Sequence, residues 1–352
     1  MIIFLSIVFM LVIMGVITFV HELGHFLSAR ACGIKVNEFA IGMGPALVRF
    51  GKNETKYTLR AFPIGGFVSM EGEDKESDHK DAFGKKSAPK RILVLVSGAI
   101  CNLLLGVIIC FIISVSSDNG FISAKVQGFH KDSSSAAVLK KGDIIRKVNG
   151  RRIFVVNDIS HEMVSADNPV MSMEVERGGK NILLDNVVFN SHVNESGKNA
   201  IEIDFYLERQ EKTFITVMQQ TFGSFVSNVR LIWVTLGDLL TGKYGLNDLS
   251  GPVGISSVVG EVIEQSIGYG ILEAFRSVMF LAGIITINVG IFNLLPFPAL
   301  DGFRIATVAV EGVTKKKMTP AIEAAVNGVG FIILIGVMLI VCFSDIYKLF
   351  GA

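Results

Sequence analysis

Met1 to Val20 is a run of 20 residues without a charge, and it passes directly into His21-Glu22-Leu23-Gly24-His25. A helix of roughly 20 apolar residues spans the ~30 Å hydrocarbon core of a bilayer, so this run is long enough to cross a membrane. It has no basic leading segment and no small-residue cleavage site, and it exceeds the apolar segment of a signal peptide. It is therefore expected to stay as a span rather than be removed. Two imidazoles four residues apart share one helix face and can bind one tetrahedral ion, while the glutamate between them can reach a water on it. Ionisable groups at the end of an uncharged helix are costly and mark a functional site. The plainer reading, histidines snorkelling to the interface, leaves Glu22 unexplained.

Three further runs lack charge: Ile92 to Ser117 with 26 residues, Ser277 to Leu300 with 24 and Ala324 to Ser344 with 21. In a chain of 352 residues that is 50% hydrophobic and 18% charged, four such runs exclude an ordinary soluble protein. They predict a polytopic α-helical membrane protein with four transmembrane helices. Twelve Lys or Arg residues fall between Arg30 and Arg91, and Lys315, Lys316 and Lys317 precede the fourth run. The positive-inside rule makes both loops cytoplasmic, with the N-terminus, the stretch from about 118 to 275 and the C-terminus outside. The net charge of +1 is uninformative by itself; the lipid bilayer, and no nucleic acid, is the expected environment. Cys32, Cys101, Cys110 and Cys342 fall in or beside the runs, so no disulfide framework is expected.

Between the first two runs, Gly42-Met43-Gly44-Pro45 is followed by residues 56–70, rich in Tyr, Thr, Phe and Val around Pro63 and Gly65-Gly66. This reads as a β-hairpin or bent ribbon partly immersed in the membrane, with a charged linker from Glu71 to Lys90. In the outer stretch, β-like runs recur at 122–126, 144–148, 171–175 and 182–188, with a helix starting near Asn157-Asp158 and Asp158 as its N-cap. Ile215, Met218, Phe222, Phe225, Val229, Ile232, Leu236 and Leu239 form an amphipathic stripe, expected to lie on the membrane surface rather than to span it. The expected organisation is a first half of a membrane core at 1–117, a β-rich domain at 118–192, a linker with the amphipathic helix at 193–274, and the second half of the core at 275–352.

A catalytic zinc usually takes three protein ligands, and no third histidine follows His25 at a fixed spacing. His79, His130, His161 and His192 lie in segments outside the spans. The candidate nearest by topology is Asp301, in Asn293-Leu294-Leu295-Pro296-Phe297-Pro298-Ala299-Leu300-Asp301-Gly302 at the end of the third run. It shares the cytoplasmic membrane depth of His21 and His25. The two prolines interrupt the helix, and a broken intramembrane helix is tolerated where it lines a cavity. A helix-terminal interface carboxylate is the plain alternative for Asp301.

Taken together, the His-Glu-x-x-His motif, Gly98-x-x-x-Asn102 and the segment from Asn293 to Gly302 resemble the site-2 protease family of intramembrane metalloproteases. The likeness is to its bacterial members that act in regulated intramembrane proteolysis. It covers nearly the whole chain, including Gly65-Gly66 and the stretch from Ser250 to Gly254. The resemblance implies zinc (Zn2+) held by His21, His25 and Asp301, with Glu22 as the catalytic base. It implies a membrane-reentrant strand near Phe62 to Val68 that pairs with an unwound substrate helix, with Gly65, Gly66, Asn293, Pro296 and Pro298 holding that substrate and Asn102 packed close to the site. The inserted extracytoplasmic β-rich domain resembles a PDZ domain, its signature running from Lys141 to Gly150. Substrates would be single-pass membrane proteins after a first extracytoplasmic cleavage, in a bacterial plasma membrane. The chain departs from its larger relatives in having room for one PDZ domain, in carrying Phe303 where many have a second glycine, and in lacking a clear peptide-carboxylate loop. A steric filter is therefore the preferred reading of that domain. A metal or ion transporter using His21, His25 and Asp301 is the rival reading, although no inverted repeat is visible. The oligomeric state is left open by the sequence.

Overall fold

The structure, a computed structural model, describes residues 2–51, 55–73, 75–117, 120–166, 168–193, 199–243, 245 and 249–350, and of residues 2–5, 63, 64, 192, 193, 199, 200, 349 and 350 the backbone alone. The chain packs as two compact units, Met1–Ile109 with Ile232–Ala352, and Cys110–Leu231.

The first unit is built on long apolar helices. Those named α1 (Ile2–Ala31), α2 (Ala88–Ser116), α6 (Ile271–Asn293) and α8 (Pro320–Phe350) contain the four described segments long and apolar enough to cross a membrane. They coincide with the four uncharged runs, so each run forms a helix of the length and apolarity that a span requires. Side chains such as Ile332 and Phe343 on α8 are 71% and 75% exposed, which suits a helix whose outer surface is solvated by lipid. Without water to drive them together, such helices associate through small and polar contacts. Ser28 of α1 and Ser97 of α2 hydrogen-bond at 2.6 Å, and Gly106 of α2 lets Ile287 of α6 approach so closely that a Cβ would stand 2.4 Å from it. A shorter helix, α5 (Pro252–Ile267), packs on α1, α6 and α8. Its first amides are capped from afar: Asp345 of α8 accepts from Gly251 and Gly254 N–H, both at 2.8 Å, which meets the unpaired donors of a helix start.

Between α1 and α2 lie β1 (Val36–Phe50) and β2 (Lys56–Met70). Residues 56–70 make no hairpin of their own; they form one bent strand, and both of its arms pair with β1. Glu38 to Ile41 pair on both edges, with 66–69 on one side and 56–59 on the other. The ribbon thus doubles over, because Gly42, Gly44 and Gly65 supply positive φ angles of 83°, 85° and 79° that other residues rarely adopt. Phe26, Phe39, Val68, Phe83, Leu95 and Val308 form the core beneath it, the last contributed by α7 (Asp301–Thr314).

The second unit holds a six-stranded sheet in the order β10-β3-β4-β6-β7, with the short β5 (Arg151–Arg152) paired to β4, and a separate ladder of β8 (Ser191–Val193) and β9 (Asn199–Ile201). Strands β3 (Phe121–Phe129), β4 (Ile144–Val148), β6 (Val170–Arg177) and β7 (Lys180–Val188) contain the four β-like runs. A fifth, β10 (Phe205–Gln210), arises in a polar stretch without a clear strand signal and pairs antiparallel with β3. Val126, Ile145, Val148, Ile159, Met173 and Val175 fill the core. Asp158 is not the N-cap of α3 (Val156–Val164): it is the third helical residue, and its carboxylate accepts from Phe154 and Val155 N–H at 2.6 and 3.1 Å. That is the back-reaching half of a capping box, which an acidic residue performs as readily as a true cap. The amphipathic stripe forms α4 (Phe214–Leu240), and Arg230 on it pairs with the buried Asp158 and Glu162.

Candidate metal centre

His21 and His25 stand one turn apart on α1, both buried. Their Nε2 atoms are 3.2 Å apart, and Oδ2 of Asp301 lies 3.1 and 3.3 Å from them. Tetrahedral ligands at the ~2.0–2.1 Å of zinc are about 3.3–3.4 Å from one another, so the three atoms form a triangle of that size. Among the described residues no other trio of His, Cys, Asp or Glu ligand atoms comes so close; His79, His130 and His161 stand apart from it. The side chain of His192 lies outside the described residues.

Each part is delivered by a local cause. The helical period sets the two rings on one face. Pro296 and Pro298 stop α6 at Asn293, and the chain turns so that α7 opens on Asp301. On α2, Gly98 provides clearance: a Cβ there would sit 2.4 Å from His25 Nε2 and 2.8 Å from His21 Cε1. His25 Nδ1 is 2.8 Å from the Val94 carbonyl. A carbonyl only accepts, so Nδ1 carries the proton and Nε2 turns its lone pair to Asp301. Oδ2 of Asp301 is buried and finds no hydrogen-bond partner. Such a carboxylate oxygen facing two ring nitrogens is costly unless a cation joins them. Two imidazoles and a carboxylate are also a donor set that zinc accepts, so the residues fit the ion.

Other candidates flank the trio. Glu22 lies against β2, where Gly66 comes so near that a Cβ would meet Glu22 Cγ at 3.2 Å. Asn102 is fully buried; its amide nitrogen is 3.4 Å from His21 Nδ1 and its backbone carbonyl accepts from Thr286 Oγ1. Gly65 bends β2, while Asn293 ends α6 and Pro296 and Pro298 lie on the turn before Asp301. Two elements were invisible in the sequence: the Val94 carbonyl, because any residue type carries one, and the steric role of Gly98, which entered only as part of a motif.

The model of Peptidase family M50 matches residues 9–337. The chain is 34% identical over 342 residues to a Clostridium perfringens protein with a provisional zinc metalloprotease name, covering 97% of this chain and 98% of that one. It is 28% identical over 422 aligned positions to the zinc metalloprotease RasP of Shouchella clausii, covering 96% and 98%. With the regulator of sigma-W protease RasP of Bacillus subtilis it shares 29% over 432 positions, covering 98% and 99%. The PDZ domain of an SdrC-like protein from Listeria monocytogenes aligns with 26% of this chain and 90% of its own at 20% identity, with a TM-score of 0.20, too low to carry an argument about the β-rich unit. Nothing in these matches supports a transporter. The family match runs through both halves of the membrane unit and the sequence between them, and so the chain belongs to peptidase family M50, the site-2 proteases, as an intramembrane zinc metalloprotease.

Proposed function

We propose that His21, His25 and Asp301 hold the catalytic zinc, that Glu22 is the general base, and that the substrate is a transmembrane segment of a protein already trimmed on the outer side by another protease. The observation that carries this reading is the triangle of three donor atoms, 3.1 to 3.3 Å on a side, with an unpartnered carboxylate oxygen at one corner.

When bound, zinc supplies Lewis-acid polarisation of the scissile carbonyl and lowers the pKa of water. Glu22, one residue along from His21, takes the proton of the attacking water and returns it to the leaving amine. Asn102 orients His21. With its amide turned so that Oδ1 accepts from Nδ1–H, the ring's Nε2 is left free, and the otherwise orphaned Oδ1 gains a partner. Segment 66–69 of β2 pairs with 38–41 along one edge. Its other edge is the proposed seat of the substrate, which unwinds and adds as a strand, exposing a peptide bond that a helix shields. Gly65 and Gly66 allow the close approach, and Asn293, Pro296 and Pro298 hold the substrate from the opposite side.

We read 1–117 and 275–352 as the two halves of the protease core, 118–192 as a PDZ-like filter that admits trimmed substrates and whose sheet β10 at 205–210 completes, and the rest of 193–274 as a linker with an interfacial helix. The basic loops orient the chain in a bacterial plasma membrane with that filter outside and the site near the cytoplasmic face. The test is cleavage of a single-pass substrate by purified protein in detergent, with metal content measured alongside. Glu22→Gln is expected to keep one zinc and lose on the order of 10²–10⁴-fold in rate, and Asp301→Asn to lose the zinc. Normal cleavage by the first variant, or full zinc and activity in the second, overturns the assignment.

A further inference from the structure

Asp301 owes its position to the turn at 294–300. Pro296 and Pro298 have no amide hydrogen, and four of the other five amides find acceptors close in sequence: Leu294 at Ile291, Leu295 at Phe292, Phe297 at Leu295 and Leu300 at Phe297. Ala299 is the exception. Its N–H donates to Oδ1 of Asn327, on α8, at 3.0 Å. Ala299 also has a φ of +77°, in the left-handed region that a residue with a Cβ avoids unless its surroundings hold it there.

Two neighbours of Asn327 grip the same segment. Gly330 closes on the turn so tightly that a Cβ would stand 2.5 Å from both Cβ and O of Pro298. One turn earlier, Glu323 pairs with Nε of Arg304 at 3.0 Å, three residues past Asp301 on α7. Positions 323, 327 and 330 are spaced four and three, so they share one face of α8. Asn327 also lies within the uncharged run of the fourth span, where a polar side chain is retained for the partner it serves.

We infer that Asn327 is a positioning residue of the metal centre: it holds Ala299 in its left-handed conformation and so sets where the Asp301 carboxylate stands relative to His21 and His25. This rests on the reading of Asp301 as the third zinc ligand. Asn327 acts through the turn and Gly330 supports it from the same face. Fourth-span residues thereby share control of a site whose ligands come from α1 and α7.

The test uses the full-length protein in detergent, loaded with zinc or with cobalt(II) as a spectroscopic substitute. Metal affinity is measured by chelator competition, together with the cobalt d–d absorption and the kcat and KM for a transmembrane substrate. Asn327→Leu keeps the size and removes the acceptor; it is expected to weaken metal binding about 10–100-fold, the usual effect of losing an outer-shell partner, to alter the cobalt bands, and to lower kcat more than it raises KM. Asn327→Asp, which keeps an acceptor at the same reach, restores all three toward wild type. Ala299→Gly rescues part of the Asn327→Leu loss, because glycine adopts the turn's φ unaided. Gly330→Ala, pressing on Pro298, shifts the cobalt bands by an independent route should Asn327→Leu not accumulate. Wild-type affinity and spectrum in both Asn327→Leu and Gly330→Ala, with both properties changed in Asp301→Asn, overturns the role of Asn327 and leaves the ligand set standing. An unchanged Asp301→Asn removes the ligand reading itself.

Discussion

Replacing Gly98 by alanine adds one methyl group to α2, and the geometry says where it must go. The new Cβ would lie 2.4 Å from His25 Nε2 and 2.8 Å from both His25 Cε1 and His21 Cε1, whereas non-bonded heavy atoms settle at roughly 3.5 Å. The His25 ring must retreat by about 1 Å to clear it. It has little room to do so, since Nδ1 is tethered to the Val94 carbonyl one turn away on the same helix. A displacement of ~1 Å is half of a zinc–nitrogen bond of ~2.0 Å and about twice the ~0.5 Å tolerance of a working constellation. The expected outcome is a loss of zinc affinity and of kcat/KM on the order of 100-fold or more, with a stability cost of about 1–3 kcal/mol for overpacking. Metal content after chelator challenge, cleavage of a transmembrane substrate and thermal unfolding in detergent read the three effects separately. Gly336→Ala, at a helical position with no neighbouring atom within 4 Å, is the matched control and should behave as wild type. A Gly98→Ala protein that retains full zinc and near-normal cleavage would refute the packing of α2 against the two histidines.

Asp345→Ala leaves the amides of Gly251 and Gly254 without their acceptor; a loss of about 1–3 kcal/mol for the buried Gly251 donor and less for the half-buried Gly254 is expected, seen as a lowered melting temperature and faster hydrogen exchange at the start of α5. In the β-rich unit, burial raises the Asp143 carboxyl, but the guanidinium of Arg177 and the Lys140 amide lower it further, so it titrates below the ordinary carboxylate range. Its contribution to stability is therefore complete above ~pH 4 and is lost as pH falls through the depressed value. Hydrogen-exchange protection of β4 and β6 should fall over that acidic window in wild type, and Asp143→Asn should flatten the dependence. Arg230→Met removes a cation shared by the buried Asp158 and Glu162; with Ser227 and two amides still serving Asp158, the cost should fall near the low end of the ~3–5 kcal/mol typical of breaking a buried pair, measurable by denaturant unfolding.

Properties that depend on one segment alone could be read directly from the chain. Four spans follow from the length of the uncharged runs, the shared face of His21 and His25 from the helical repeat, and α4 from its stripe of apolar residues. Strand β10 carries no such signature, because its short apolar start, Phe205 to Leu207, sits in a polar stretch and only the pairing with β3 defines it. Asp158 is acidic at a helix start in either account, and only the backbone around it separates a cap from a third residue. In the same way, Asp301 stood out in the sequence by its place after a broken span, but the approach of its Oδ2 to both rings is the product of a turn closed by Asn327 and of a glycine on α2 that leaves room. Those contacts join residues remote in the chain through backbone carbonyls, amides and missing side chains, and such partners become visible only when the helices pack. The sequence by itself determined which groups are present and which helix faces they share; the tertiary structure decided which of them meet.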